Sequence, residues 1–182
     1  MKLFKIPEFL SIEECDVIYN RILETEKFVK SLGEDVHSGT ANNSLTGRHW
    51  CHNYLYDPVI GDILLPKFRV VLGRKRYVQC WANTFRTGEG IAKHRHRDVT
   101  APGAPPVDWT CTNLFIGGDP GLGTWFDGVK NKNKRGELML FPSSLYHWVP
   151  PNKIDQVRIS MAADVHYSRP PGYNENQYYN LT

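Results

Sequence analysis

Apolar residues recur at two different periods along the chain, and the period changes part-way along it. In the first part, Ile18 and Ile22 recur at the spacing that places side chains on one face of a helix. Ser11 and Glu14 precede them at the capping-box spacing, in which each side chain accepts a hydrogen bond from the other residue's backbone amide. The pattern therefore predicts a helix over about 11–30.

A second helix start follows at Asp57-Pro58, because aspartate caps a helix well and proline suits its first turn. The apolar face expected for this helix consists of Val59, Ile60, Ile63 and Leu64. Pro66 should kink or end it, since proline removes a backbone donor and its ring crowds the preceding turn.

From Tyr77 onward the chain alternates short apolar runs with glycine, proline, asparagine and aspartate, a pattern typical of strands and turns. The predicted strands are 77–86, 91–96, 109–117, 123–127, 137–142, 146–149 and 156–165. Strands without helices between them indicate an all-β sandwich or barrel, with the helices packed on its outside. The segment Val99–Asp108, rich in proline and alanine, separates two strands and is a candidate entrance loop or lid.

The length of the chain favours one domain. A chain of 182 residues can bury one core, so we predict a single domain over 1–182. Its helical part would cover about 1–75 and its β core about 76–167, followed by a short C-terminal tail.

Composition and charge point to a soluble, cytoplasmic protein. No apolar run approaches the ~20 residues that span a bilayer, and the first ten residues lack the pattern of a secretory signal. The four cysteines are scattered without a C-x-x-C pair, as expected of reduced thiols. A net charge of +3 is too small to indicate a nucleic-acid partner, and the sequence gives no indication of the oligomeric state.

Potential metal ligands are concentrated in one strand-like segment. His94 and His96 lie two residues apart and therefore project from the same face, and Asp98 is next in that register. The best third ligand is His147, which follows the strand 137–142, and weaker candidates are His52 and His166. Two histidines and one carboxylate on one face of an octahedral ion leave the opposite face open, as non-haem Fe(II) oxygenases require.

Eleven residues after His147, Arg158 and Ser160 point the same way in a strand whose other face is apolar. The arginine fork can grip a carboxylate through two charge-assisted hydrogen bonds, and the neighbouring hydroxyl adds a third donor. The pair would therefore suit the distal carboxylate of 2-oxoglutarate.

This constellation resembles the 2-oxoglutarate/Fe(II)-dependent dioxygenase superfamily, and within it the prolyl 4-hydroxylase-like branch. The segment Phe9–Asp16 looks like the opening helix motif of that branch, and Phe85-x-x-Gly88-x-x-Ile91-x-x-His94 is similar to its approach to the first metal ligand. The more specific second half is Gly136-Glu137-Leu138-x-x-Phe141-Pro142, followed by His147 and Arg158-x-Ser160.

The resemblance implies a double-stranded β-helix fold of the jelly-roll or cupin type. It also implies Fe(II) held by a His-x-Asp/Glu pair and a distal histidine, with 2-oxoglutarate as co-substrate, O2 as oxidant and stimulation by ascorbate. The implied reaction is hydroxylation of a substrate C–H bond with oxidative decarboxylation of 2-oxoglutarate to succinate. A small molecule or a peptide would be the substrate, and a prolyl residue is favoured only by the resemblance.

Two alignments of the metal ligands stay open. The spacing from Phe85 and Gly88 makes His94 the first ligand, and His96 then stands where the family has a carboxylate. A shift of two residues gives the expected His96-x-Asp98 pair but places Gly90 rather than Gly88 six residues before the ligand, and Thr87 where the aromatic residue should be. We favour the carboxylate alternative on chemical grounds, and both alternatives use His96 and His147.

Two other classes of protein remain possible alternatives. A cupin-type metal enzyme would share the barrel, and Gly88 to His96 match the cupin Gly-x5-His-x-His motif, but positions 100 and 101 lack its glutamate. A non-catalytic β-barrel binding module would leave Arg158-x-Ser160 unexplained. Aromatic residues could line a pocket, although in barrel strands they more often belong to the core: Trp81, Trp109, Trp125, Tyr146 and Trp148.

Overall fold

The computed structural model describes residues 3–32, 52–96, 110–169 and 177–182. Within these ranges the chain forms two α-helices, α1 (Ile12–Ser31) and α2 (Pro58–Leu72), and a 3-10 turn at Tyr54–Tyr56. The strands are β1 (Phe4–Ile6), β2 (Tyr77–Phe85), β3 (Ile91–His94), β4 (Thr110–Gly117), β5 (Thr124–Phe126), β6 (Val129–Asn131), β7 (Leu138–Pro142), β8 (His147–Val149), β9 (Arg158–His166) and β10 (Tyr179–Asn180).

Helix α1 begins at the predicted capping box. The Glu14 amide donates to Ser11 Oγ at 3.1 Å, and the Ser11 amide donates to Glu14 Oε2 at 2.8 Å. Ile18 and Ile22 are fully buried, as the helical spacing predicts. The predicted helix over about 11–30 is thereby confirmed.

Helix α2 also begins as predicted, because Asp57 Oδ1 accepts hydrogen bonds from the amides of Val59 and Ile60 at 3.0 and 3.1 Å. Of the two effects expected of Pro66, the ending is wrong, since α2 continues past it to Leu72. Pro66 and Asp62, whose carbonyl loses its helical donor, are both exposed. Water can therefore satisfy that carbonyl, which lowers the cost of the proline.

The strands form two antiparallel sheets. The major sheet has the order β1-β7-β4-β9-β2-β10, and the minor sheet has the order β3-β8-β5-β6. From β2 to β9 the chain passes back and forth between the two sheets, with β5 and β6 forming a hairpin within the minor sheet, which is the connectivity of a double-stranded β-helix. The predicted mainly-β fold class is confirmed, and all seven predicted strands are present.

One face of the major sheet packs on the helices and forms the larger core. Ile159 and Met161 of β9 point to this face and contact a cluster that includes Ile18 of α1 and Leu64 of α2. Side chains alternate along a strand, so Arg158 and Ser160 point the other way, toward the minor sheet. The candidate site lies between the two sheets.

Candidate metal centre and co-substrate pocket

The structure brings together three of the four predicted metal ligands. His94 and His147 face each other across the β3–β8 pair, with ring centroids 4.3 Å apart. The ring of His96 lies 5.4 Å from that of His94 and 5.0 Å from that of His147. Their candidate ligand atoms all lie within 4.8 Å of one another.

A β-bulge in β3 makes this convergence possible. Ile91 pairs with Val149 and His94 pairs with His147, so one more residue separates the pair on β3 than the pair on β8. Ile91 and His94, three residues apart, therefore both line the same cavity. The backbone amide of His96 donates to Ser143 O at 3.0 Å, which fixes the segment after the bulge beside the β7–β8 turn.

The Nδ1 atom of each imidazole is hydrogen-bonded to an oxygen atom. His94 Nδ1 lies 2.8 Å from Ala92 O, and His147 Nδ1 lies 3.0 Å from Leu145 O. His96 Nδ1 lies 2.6 Å from Asp164 Oδ1. Because these oxygens only accept, each Nδ1 carries the proton, and the Nε2 lone pair is left to bind a metal.

The electrostatics keep two of the imidazoles neutral. Burial, and then the charge of His96, lowers the pKa of His94 to about 4. Burial and the neighbouring His94 and His96 lower the pKa of His147 well below its usual value. Neutral imidazoles are the form that binds metal ions, and a cluster of three suits Fe, Zn, Cu or Ni.

Asp164 belongs to this cluster, although the sequence interpretation missed it. Burial alone would raise the pKa of Asp164, but the charge of His96 and hydrogen bonds from His96 and Cys111 outweigh it and lower the pKa to about 2. Asp164 lies on β9 in the same alternating register as Arg158 and Ser160. That register was the signal that could have identified it.

Arg158 is a fully buried cation on the face of β9 that points toward the minor sheet. Its Nη2 donates to Thr124 Oγ1 at 3.3 Å. Nε and Nη1 have no hydrogen-bond partner within the part of the chain that the structure describes. Burial lowers the pKa of Arg158 to about 10, so the guanidinium is still charged at neutral pH. A buried cation with unused donors is costly unless an anion binds there.

One cavity is lined by the three histidines and by residues that neighbour Arg158. Ser160 lines it together with Thr124, the acceptor of the Arg158 hydrogen bond, and with all three histidines. Asn83 also lines the cavity, directly opposite Ser160 in the β2–β9 ladder. Thr124 further accepts from Asn113 Nδ2 at 3.4 Å and donates to Asn133 Oδ1 at 3.3 Å. The cavity is thus lined both by the three histidines and by the buried polar side chains around Thr124.

Two of the predicted aromatic candidates line the same cavity. Trp81 stacks on His96 with ring centroids 5.6 Å apart, and Trp148 lines the wall. Trp125 stacks on Trp148 at 5.6 Å, and Tyr146 is partly exposed. Trp81 is thus both buried and part of the cavity wall, and Trp148 lines the cavity as the pocket alternative allowed.

The structure does not bring the weaker histidine candidates to this site. His52 packs edge-on against Tyr54 at 4.5 Å, and His166 packs edge-on against Tyr178 at 5.2 Å. Asp98, Trp109 and the candidate lid Val99–Asp108 lie outside the described residues.

Comparisons with known proteins found one matching family model. Residues 120–164 match the model of a family described as putative 2OG-Fe(II) oxygenase. No curated protein sequence matches the chain.

The fold is similar to several solved structures. A viral collagen prolyl hydroxylase from Paramecium bursaria Chlorella virus-1, solved as a 2OG complex, is 19% identical with a TM-score of 0.63, and the alignment covers 92% of this chain and 97% of that one. A prolyl-4-hydroxylase from Pseudomonas putida is 15% identical with a TM-score of 0.55, covering 92% and 93%. A non-haem alpha-ketoglutarate-dependent epimerase from nogalamycin biosynthesis is 9% identical with a TM-score of 0.59, covering 98% and 88%.

Over residues 120–164 the chain is therefore similar to a family of putative 2OG-Fe(II) oxygenases, and its overall fold is similar to that of these solved structures. Two of these solved structures are prolyl hydroxylases, and their similarity to this chain is one of fold. None of the helices in the described ranges is long and apolar enough to cross a bilayer.

Proposed function

We propose that the chain hydroxylates a C–H bond of an amino acid or a peptide, with a prolyl residue as the first candidate. In this proposal Fe(II) is bound by His94, His96 and His147, and Arg158 and Ser160 bind the distal carboxylate of 2-oxoglutarate. The observation that carries it is the buried Arg158 cation, with two unused N–H groups among the described residues, beside a cavity lined by three imidazoles. A dicarboxylate co-substrate could bind the metal at one end and the Arg158 guanidinium at the other.

In this proposal some site residues bind the metal and the co-substrate, and others orient the residues that bind them. The three imidazoles can offer their Nε2 atoms to a metal because their Nδ1 atoms are already hydrogen-bonded to oxygen atoms. The Arg158 fork is held by Thr124 and by the aromatic face of Phe85, so its remaining donors are oriented before the co-substrate arrives. Trp81, which stacks on His96, and Trp148 add apolar surface to the cavity wall.

With Fe(II) bound, the chemistry is supplied by the metal and the co-substrate. One O2 molecule oxidises 2-oxoglutarate to succinate and CO2 and delivers its second oxygen atom to the substrate C–H bond as a hydroxyl group. The balance is substrate, 2-oxoglutarate and O2 giving hydroxylated substrate, succinate and CO2.

The proposed substrate class rests on similarity to two prolyl hydroxylases of known structure. A peptide or a small molecule is the partner that we expect. The single-domain organisation and the cytoplasmic location stay predictions.

The direct test is turnover of 2-oxoglutarate by the purified protein with Fe(II), ascorbate and O2. We expect slow succinate formation without a substrate, and faster formation with a proline-rich peptide or with free proline. The His147→Ala variant, which removes a proposed ligand, should form none. No succinate from the unmodified protein above the level of His147→Ala would refute the proposal.

A cupin-type metal enzyme that does not use 2-oxoglutarate is the second candidate. It is favoured by the three-imidazole cluster, because cupins often bind metals through several histidines. It leaves the buried Arg158 without a ligand. Metal binding without any 2-oxoglutarate binding would favour this alternative.

A further inference from the structure

Asp164 is the carboxylate that contacts the candidate metal centre in the described structure. Its Oδ1 atom lies 2.6 Å from His96 Nδ1, and the side chains of Asp164 and His96 are only 17% and 11% exposed. Cys111 Sγ donates to the same oxygen at 3.1 Å. Within the described ranges, His96 is the only histidine, lysine or arginine side chain within salt-bridge distance of Asp164.

A largely buried carboxylate is costly to maintain unless another group compensates its charge. Core packing does not require a charge at this position, because Ala162, two residues earlier on the same face of β9, lines the same cavity as a small apolar residue. Asp164 instead lies opposite Gln79 on β2 and Cys111 on β4, at the place where the His96 ring meets the sheet. The position is thus suited to contact with His96.

We infer that Asp164 is a positioning residue for the metal centre, which fixes His96 with Nε2 toward the metal and supplies the negative charge that a three-imidazole ligand set lacks. This inference rests on the proposed function, because it requires that His96 bind the metal.

Charge counting gives the physical reason. A divalent ion bound by three neutral imidazoles keeps a charge of +2, whereas replacing one imidazole by a carboxylate lowers it to +1. A carboxylate one hydrogen bond away, behind His96, restores part of this neutralisation and makes the imidazole a stronger donor. Asp164 would take the electrostatic role of the family's carboxylate ligand without touching the metal.

Two substitutions separate orientation from charge. Asp164→Asn keeps an oxygen that can accept from His96 Nδ1 but removes the charge, and Asp164→Leu removes both. Loss of a partner that orients a metal ligand typically weakens metal binding by about 10–100-fold. We therefore expect about a 10-fold loss of Co(II) affinity for Asp164→Asn and about a 100-fold loss for Asp164→Leu.

The control is Asp127→Asn, which changes the net charge equally but lies in the exposed turn between β5 and β6. Asp127 has a φ of +45°, a conformation that asparagine also tolerates. It should bind Co(II) like the unmodified protein. Far-UV circular dichroism and thermal unfolding of each variant without metal will show that the fold is retained.

A second measurement does not depend on metal or activity. A short hydrogen bond to a carboxylate should shift the His96 Nδ1 proton of the metal-free protein strongly downfield in the NMR spectrum. We expect this resonance to move upfield in Asp164→Asn and to disappear in Asp164→Leu. If it is unchanged in both variants, Asp164 does not hold the ring.

The outcomes distinguish the inference from the function on which it rests. Co(II) affinity lost in His147→Ala but unchanged in both Asp164 variants would overturn the role of Asp164 and leave the metal site standing. Equal Co(II) binding by His147→Ala and the unmodified protein would overturn both. The expected graded loss, with Asp127→Asn unaffected, supports both.

Discussion

The guanidinium of Arg158 lies over the ring of Phe85, its cross-strand neighbour in the β2–β9 ladder, with Cζ 4.9 Å from the ring centroid. A cation over an aromatic face gains about 0.5–2 kcal/mol, depending on how far it is desolvated. The contact fixes the plane of the fork but uses none of its hydrogen-bond donors. Arg158 is therefore preorganised for a planar anion such as a carboxylate.

Arg158→Ala should weaken 2-oxoglutarate binding strongly while leaving metal binding nearly intact. Hydrogen bonds to charged groups contribute about 1.5–3 kcal/mol, so we expect a loss on the order of 100-fold in affinity. Ser160→Ala should have the same effect more weakly, because only one neutral donor is lost. Anaerobic titration of the metal-loaded variants with 2-oxoglutarate measures both, and an unchanged affinity in Arg158→Ala would remove this residue from the co-substrate site.

Arg158→Met should stabilise the ligand-free protein or leave its stability unchanged. The substitution replaces a buried charge whose Nε and Nη1 lack partners among the described residues with an apolar chain of similar length. 2-Oxoglutarate should raise the thermal midpoint of the metal-loaded unmodified protein, but not that of Arg158→Met. A large fall in the midpoint of the ligand-free variant would show that Arg158 stabilises the fold rather than a ligand.

Alanine substitutions at Gly118 and Gly128 would test whether the backbone beside Arg158 affects co-substrate binding. Both have positive φ, +97° and +85°, so an alanine at either position is strained by about 1–2 kcal/mol. A Cβ at Gly118 would also lie 2.5 Å from Arg158 Cα, whereas one at Gly128 would meet nothing within 4 Å. Gly118→Ala should therefore destabilise the protein more than Gly128→Ala does. It should also reduce 2-oxoglutarate affinity at least about 10-fold, because the clash would displace the Arg158 guanidinium.

Gly128→Ala is the matched control, because it carries the same conformational strain without the clash. It should lower the thermal midpoint slightly and bind 2-oxoglutarate normally. Equal effects of the two substitutions on 2-oxoglutarate affinity would mean that strain alone, and not displacement of β9, explains the loss.

The sequence predicted the elements whose pattern extends over several residues. Helix α1 and strands β2, β4 and β9 each repeat their period several times, so their identity was readable. Strands β1, β6 and β10 were missed because they contain only two or three residues and are defined by pairing with distant partners. The continuation of α2 past Pro66 was equally invisible, since it depends on which side of the helix faces water.

The candidate site was predictable where its chemistry is local. His94 and His96 share a strand, and Arg158 and Ser160 share another, so each pair could be recognised from a spacing of two residues. The contact between His96 and Asp164 joins residues 68 positions apart and arises from sheet packing. The bulge in β3, which turns both Ile91 and His94 into the cavity, has no sequence signal that we could identify.

The structure gives a geometric reason to prefer one of the two alternative sets of metal ligands. The chemical preference in the sequence was for His96, Asp98 and His147, but the described structure brings His94 to the other two histidines, with ligand atoms within 4.8 Å. Asp98 lies outside the described residues. We therefore expect His94→Ala to lose metal and Asp98→Ala to retain it, as measured by Co(II) or Mn(II) titration.

His96→Ala and His147→Ala should lose the metal under either alignment, and they serve as positive controls for loss. His52→Ala, at a histidine that packs against Tyr54 instead, should bind metal normally. Metal binding lost in Asp98→Ala but kept in His94→Ala would establish the two-histidine, one-carboxylate alternative. A carboxylate ligand at Asp98 would also make the charge of Asp164 redundant, so Asp164→Asn would then bind Co(II) almost as tightly as the unmodified protein. The two experiments must therefore agree: a three-histidine site requires the Asp164 charge, and a carboxylate ligand does not.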